Sequence, residues 1–235
     1  NAHLIRQGEP PRFVPGREWE GEDTVFMERA HPDQVAEAVL KVVTSGLRSL
    51  NYAPDDIQVI TPMHRGPAGV TELNKRLQAV LNPESPGEPQ LMRGPYKFRC
   101  ADRVLQNVNN YEKSVYNGDI GRIVSIDLEN NVFDVEFDQG RVAYDFTETD
   151  QLQLAYALTV HKSQGSEYPA VVMVIHSTHY IMLRRNLLYT ALTRAQSMAV
   201  IVGDKKGLWT AVRRSDEMRR YTRLQERLKG LLPCV

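Results

Sequence analysis

Apolar residues recur along this chain in two different rhythms, and the places where the rhythm changes divide it. Residues 24–30, TVFMERA, read as a strand. Pro32 then suits the first turn of a helix, and Val35, Val39, Val42, Val43, Leu47 and Leu50 follow at helical spacing. Residues 57–61, IQVIT, are a short run of buried-strand type. Val70, Leu73, Leu77, Val80 and Leu81 mark a second amphipathic helix. Strand–helix–strand–helix order predicts an α/β layer. The opening is Pro/Gly-rich through Gly16 and is expected to be extended or irregular.

The rhythm changes at residues 82–89, NPESPGEP, whose three prolines predict a linker. From Tyr96 to about Asp150 there is no helical period. Short strand-like runs stand at 102–108, 119–128, 132–137 and 141–146, with turn signals at Asn117-Gly118, Asn130-Asn131 and Gln139-Gly140. This predicts a small antiparallel barrel of SH3 type. The α/β pattern resumes with a strand at 152–160, a strand at 170–176, a helix around 184–196, a strand at 198–204 and a final basic helix. The expected organisation is a parallel-sheet domain (1–93 and 151–235) into which a barrel (94–150) is inserted.

Composition changes this picture little. The 235 residues are 42% hydrophobic and 25% charged, ordinary for a soluble globular protein. No apolar run is long enough to cross a bilayer, and no signal peptide is evident, so no membrane partner is expected. Cys100 and Cys234 have no metal-ligand or disulfide-framework spacing, and a reducing cytoplasm is the simplest location. The formal net charge is +0, which excludes a uniformly basic nucleic-acid coat. Acids gather between Glu18 and Glu37 and bases between Lys205 and Lys229, a pattern that solvated faces also give. The chain begins at Asn1 rather than Met, as a piece of a longer protein would.

The candidate chemistry centres on residues 159–169, TVHKSQGSEYP, a polar loop between two apolar runs. Loops at the carboxyl ends of parallel strands collect ligands. The hydroxyls of Thr159, Ser163 and Ser166, with backbone N–H groups near Gly165, suit phosphate oxygens, although such a loop is also an ordinary turn. Glu167 suits a ribose, and His161 and Lys162 suit a nucleic-acid backbone or base. Arg194 ends the run RRNLLYTALTRAQ, whose Leu183, Leu187, Leu188, Ala191 and Leu192 form an apolar face. Arg65 follows the strand at 57–61 directly. Either arginine offers a permanently charged fork to a phosphate, or simply a surface charge. His176 and His179 lack an acidic or thiol companion in sequence, so no metal site is expected. Trp19, Trp209, Phe133, Phe137 and Tyr189 read as packing residues.

Taken together, these stretches resemble a known family. LAYALTVHKSQGSEYPAVV resembles motif V of superfamily 1 helicases, RRNLLYTALTRAQ resembles motif VI, and VITPMHRGPAGVTELN resembles motif IV. The wording is most similar to the RecD-like branch (superfamily 1B), which includes the exodeoxyribonuclease V alpha subunit. ADRVLQNVNNYEKSVYNGDIG resembles the start of the barrel that this branch inserts into its second motor domain, and NAHLIRQG resembles the segment after its motif III.

The resemblance implies a RecA-like, P-loop NTPase-type domain that lacks the P-loop, carries an SH3-like insert, and forms the C-terminal half of an ATP-dependent 5′→3′ DNA helicase. No G-x-x-x-x-G-K-[ST] occurs in the chain, so ATP and Mg²⁺ would be held mainly by an N-terminal RecA-like motor domain, the first implied partner. On its own the chain is expected to lack ATPase activity. Single-stranded DNA, and other subunits of an exonuclease V, are further implied partners. By the same resemblance Arg65 and Arg194 would be arginine fingers, and Gly165, Ser166 and Glu167 would face nucleotide. Thr159, His161, Lys162 and Ser163 would face DNA. In the barrel Lys97, Arg99, Asn107, Asn109, Tyr111 and Lys113 are candidate DNA contacts, with Asn107 and Tyr111 foremost. The alternative is a non-catalytic module holding nucleic acid or protein in a recombination or repair complex, since a small barrel does either.

Overall fold

The computed structural model describes residues 1–13, 19, 23–94 and 96–215. In chain order they form α1 (Ala2–Gln7), β1 (Thr24–Glu28), α2 (Pro32–Lys41), β2 (Ile57–Thr61) and α3 (Val70–Leu81). A hairpin of β3 (Gln90–Arg93) and β4 (Tyr96–Arg99) precedes β5 (Arg103–Gln106), β6 (Ile120–Asp127), β7 (Val132–Phe137), β8 (Gly140–Asp145) and β9 (Leu152–Leu154). Then come β10 (Ala157–Thr159), β11 (Tyr168–Ile175), α4 (Arg185–Leu192), β12 (Ala195–Gly203) and α5 (Lys205–Arg213).

Five strands make one parallel sheet in the order β1-β12-β11-β2-β10. Because side chains alternate across a strand, β11 divides its apolar residues between two cores. Val172 and Val174 join α2 and α3 through Val35, Val39, Leu73 and Leu77. Val171, Met173 and Ile175 join α1, α4 and α5 through Ile5, Leu188, Leu208 and Ala211. All five β11 residues are at most 1% exposed, and each contributes about 1.5–3 kcal/mol of burial. Gly203 closes β12 where a Cβ would lie 1.6 Å from the Ile175 carbonyl oxygen, so only glycine lets the two strands end together.

The insert is an antiparallel sheet in the order β8-β7-β6-β5-β9. Its turns fall at the expected dipeptides, with φ of 108°, 56° and 124° at Gly118, Asn131 and Gly140. Phe98, Val104, Phe133, Val135 and Leu152 belong to the same core as α2 and α3, so the insert shares its interior with the parallel sheet. A buried carboxylate fastens this joint. Asp102, 0% exposed, accepts from Gln78 Nε2 at 2.6 Å, Asn82 Nδ2 at 2.7 Å, the Arg99 amide at 2.8 Å and the Tyr156 hydroxyl at 2.8 Å. Burial nevertheless raises its pKa above the usual carboxylate value. Arg122 pairs with Asp55 and donates to the Ala101 carbonyl on the same side.

Several elements differ from the sequence-based expectation. The opening is not wholly extended: α1 forms and drives Ile5, 0% exposed, into the core beside α4. The first long helix ends at Lys41 and continues as a π-helical turn, Val42–Gly46, and a 3-10 turn, Arg48–Leu50, stopped by Asn51 at φ 65°. Val80 is 51% exposed rather than part of the buried face of α3. The run at 152–160 is two strands. β9 pairs with β5 in the insert, and β10 pairs with β2 in the parallel sheet. Both are buried, so their apolar character conceals the change of sheet. The helix around 184–196 stops at Leu192, since Ala195 and Gln196 already belong to β12. The β3–β4 hairpin lies where a linker met the start of the insert. Glu18, Glu20, Glu22 and the basic run past Ser215 lie outside the described residues. No helix among those described is long and apolar enough to cross a membrane.

Candidate functional site

The loop after β10 leaves one edge of the parallel sheet and returns to the opposite edge. Thr159 is level with Thr61 at the carboxyl ends of β10 and β2. Tyr168, which opens β11, is level with Ala195 at the amino end of β12. At ~3.3 Å per residue these edges stand on the order of 20 Å apart. The loop covers that distance through short turns: the Ser163 amide donates to the Thr159 carbonyl at 3.1 Å, and the Ser166 amide to the Ser163 carbonyl at 3.3 Å. Gly165 takes φ 88°, a left-handed conformation that favours glycine. The Ser163 side chain is fully buried and donates to the Val160 carbonyl at 2.9 Å, so it braces the loop from inside.

Arg194, Ser166, Gly165 and Glu167 come together at the amino-end edge. The Arg194 guanidinium donates from Nη1 to the Ser166 carbonyl at 3.1 Å and from Nε to the Thr190 carbonyl at 3.2 Å. In return the Arg194 carbonyl accepts from the Tyr168 amide at 2.9 Å. No carboxylate among the described residues pairs with Arg194, so its charge is held in place but not neutralised. Glu167 is exposed beside it. A positioned, uncompensated guanidinium next to an exposed carboxylate suits a phosphate and a hydroxyl-bearing sugar.

Thr159, His161 and Lys162 lie at the carboxyl-end edge with Arg65. Lys162 Nζ reaches across to the insert and donates to Asn117 Oδ1 at 2.7 Å, and the Lys162 amide donates to Thr159 Oγ1 at 3.3 Å. Asn117 continues into Asn109, whose Oδ1 accepts from the Asn117 amide at 2.9 Å. Tyr111, 75% exposed, stands edge-on to Tyr116 with ring centroids 6.1 Å apart. Asn107 and His64 line one groove of about 390 Å³ between α3 and the insert. Arg65 is exposed in the tight loop after β2, which Thr61 Oγ1 closes by donating to the Ala68 carbonyl at 2.8 Å.

The structure therefore does not bring Arg65 to Arg194. One follows the carboxyl end of β2 and the other precedes the amino end of β12, so the length of the sheet separates them. Within the insert, Arg99 is only 6% exposed and bonds to the Asn82 carbonyl and Gln78 Oε1, which removes it from any surface. The Lys113 amine lies 4.5 Å from the centroid of the Tyr144 ring and pairs with Glu148, and Lys97 pairs with Glu84 at 3.3 Å. Asn117-Gly118 reads in sequence as a turn within the stretch that carries the resemblance, and neither Asn117 nor Tyr116 is among the candidate contacts expected there. Phe133 and Phe137 are core residues, while Trp209 is 41% exposed under the Arg213 guanidinium. His176 bonds to Thr178 Oγ1 and the Ala30 carbonyl, and serves the packing of the carboxyl-end edge.

Comparison with known proteins matches this geometry to a family. Residues 73–137 match the SH3 domain of ATP-dependent RecD-like DNA helicases, and residues 154–202 match the UvrD-like helicase C-terminal domain. The chain is 37% identical over 229 residues to an ATP-dependent RecD2 DNA helicase of Deinococcus radiodurans, covering 97% of this chain and 30% of that protein. It is 33% identical over 175 residues to the RecBCD enzyme subunit RecD of Mycolicibacterium smegmatis, covering 74% of this chain and 30% of that protein. The chain thus spans about a third of the length of these relatives. Its fold resembles that of a Pif1 helicase from Bacteroides, solved in complex with ADP-AlF3 and ssDNA. That likeness has a TM-score of 0.52 at 19% identity, over 86% of this chain and 47% of the other. An RecA-like parallel sheet, an SH3 insert and the helicase C-terminal motifs in this order identify the chain as a member of the RecD-like helicase family.

Proposed function

We propose that this chain is the second motor domain, with its SH3-like insert, of an ATP-dependent helicase that moves 5′→3′ along single-stranded DNA. The observation that carries this is the separation of two chemically different edges on one parallel sheet, joined by the loop 160–167. The edge with Arg194, Ser166 and Glu167 suits nucleotide, and the edge with His161 and Lys162 suits a strand. A rigid sheet that carries both edges can transmit a change at one to the other.

ATP held against the Arg194 edge supplies the phosphoryl group whose transfer drives the cycle. In this reading the Arg194 guanidinium moves from the Ser166 carbonyl to the developing negative charge, and Glu167 accepts from the ribose. Gly165 lets the backbone turn beneath them. Among the described residues no cluster of three His, Cys, Asp or Glu side chains could hold a metal ion. In this reading the Mg²⁺ ligands and the P-loop lysine belong to an N-terminal motor domain facing this edge. At the other edge His161 and Lys162 meet the DNA backbone together with Asn107 and Tyr111 of the insert, buried Thr159 holds the Lys162 amide from beneath, and Arg65 joins this strand edge rather than the phosphate.

The test pairs two measurements in a protein that joins this chain to its P-loop domain. Arg194→Ala is expected to lower DNA-stimulated ATP turnover by ~10³-fold or more while single-strand affinity stays within about threefold. Equal loss of turnover and binding would assign Arg194 a structural role, and helicase-like turnover by this chain alone would overturn the division of labour.

A further inference from the structure

The mechanism above leaves Arg103 unused, although its position is unusual. It is the first residue of β5, in the insert, yet its guanidinium points into the amino-end edge of the parallel sheet. Nη1 donates to the Ile57 carbonyl, at the start of β2, at 3.2 Å. The guanidinium carbon lies 5.8 Å from the centroid of the Tyr168 ring. Tyr168 is 5% exposed, opens β11, and donates its amide to the Arg194 carbonyl. Two residues earlier, the Ser166 carbonyl receives the Arg194 guanidinium. One insert side chain therefore touches the residue on which the Ser166–Glu167–Arg194 cluster is anchored.

Among the described residues no carboxylate is in direct contact with Arg103. Burial pulls its pKa down from the usual guanidinium value, the Tyr168 hydroxyl and Asp55 favour its charge, and Arg122 opposes it. A cation placed there at that cost is held by the carbonyl and the aromatic face, both of which have fixed directions. The Arg103 carbonyl accepts from the Ala155 amide at 2.8 Å, which fixes its own backbone against the segment entering β10.

We propose that Arg103 is a positioning residue: through Tyr168 it registers the SH3-like insert against the nucleotide edge and fixes the orientation of Ser166, Glu167 and Arg194. Strand contacts made by the insert at the opposite edge are thereby linked to the placement of the arginine. The anchoring of Tyr168 is independent of the motor reading, whereas the consequence for turnover rests on it.

Two measurements keep these separable. Hydrogen exchange on this chain reports the Tyr168 amide directly. Arg103→Met and Tyr168→Leu are each expected to speed exchange there about tenfold, with the Val200 amide in mid-β12 unchanged. Arg103→Lys, which keeps a cation over the ring, is expected to restore most of the protection. Unchanged Tyr168 protection in both Arg103→Met and Tyr168→Leu overturns the proposal. So does a uniform rise across β12 in both of them that Arg103→Lys also shows, since that is general loosening. In a protein joined to its P-loop domain, Arg103→Met is expected to lower the ratio of DNA-stimulated to basal kcat about tenfold, with KM for ATP changed less than twofold. An equal fall in basal and stimulated kcat overturns the link to the strand. Absence of ATP turnover with native Arg103 would sink the motor reading and leave the exchange result standing.

Discussion

The Tyr156 hydroxyl donates to Asp102 Oδ1 at 2.8 Å, and this bond ties the segment leading into β10 to the base of the insert. Tyr156 immediately precedes the strand from which the loop 160–167 departs. Asn74 holds that strand from the other side, donating to the Ala157 carbonyl at 2.9 Å and accepting its amide at 2.8 Å. Loop, insert and α3 are thus joined by buried polar bonds whose loss leaves donors without water.

Asp102→Ala strands the four donors that now meet one carboxylate, and is expected to lower unfolding stability by about 3–5 kcal/mol. Tyr156→Phe removes one of them and is expected to cost about 1–2 kcal/mol. Because the two share a bond, the double variant should lose less than the sum. Urea unfolding measures all three, and an Asp102→Ala protein within about 1 kcal/mol of wild type would refute the joint.

Lys162→Ala removes a cation at the strand edge. Its affinity for a fluorescent oligothymidylate should fall, and the slope of log K against log salt should flatten by about 0.7. Asn117→Ala takes away only the amide that holds the amine, so affinity should fall less and the slope should persist. An unchanged slope in Lys162→Ala would remove that side chain from the DNA track.

Acid should destabilise the fold through His179. It is 5% exposed, and burial, with a smaller contribution from His176, holds its pKa down to about 4 against an ordinary 6.5. Between these values the unfolded chain binds the proton and the folded chain does not, so stability rises with pH across the window and is lost as pH falls through it. The gap corresponds to about 3 kcal/mol. Asp102, whose pKa burial raises, acts in the opposite sense, but equally in both proteins compared. Urea midpoints at pH 7 and pH 4.5 should differ in wild type and converge in His179→Gln; parallel losses would place the effect elsewhere.

Gly203→Ala places a Cβ 1.6 Å from the Ile175 carbonyl oxygen, closer than any relaxation of a side chain can relieve. Soluble yield and thermal unfolding are the measurements, and the variant is expected to lack a cooperative transition. A Tm near wild type would mean that β11 and β12 separate freely at this edge.

Much of the fold was legible because its signals are local. The runs at 57–61 and 132–137 are strands with the expected bounds, β2 and β7, and the periodic residues of 70–81 form α3 with only Val80 turned outward. Arg99 and Lys113 read as surface cations because sequence carries no record of Asn82, Gln78 or Glu148, the distant groups that engage them. Asn117 read as a turn residue because its partner, Lys162, is remote in sequence.

The sequence by itself determined the α/β class with an antiparallel insert, and singled out the loop 159–169 and Arg194 as candidates for the chemistry. Period, turn residues and motif wording are properties of neighbours along the chain. Only the tertiary structure decided which of these groups meet. The strand order β1-β12-β11-β2-β10 sends the loop from the carboxyl end of β10 to the amino end of β11. That path sets Arg194 with Ser166 and Glu167 at one edge, and Lys162 with Asn117 at the other. Arg65 falls on the second edge for the same reason: which end of a parallel sheet a loop occupies depends on strand direction and neighbours, and no local pattern encodes it.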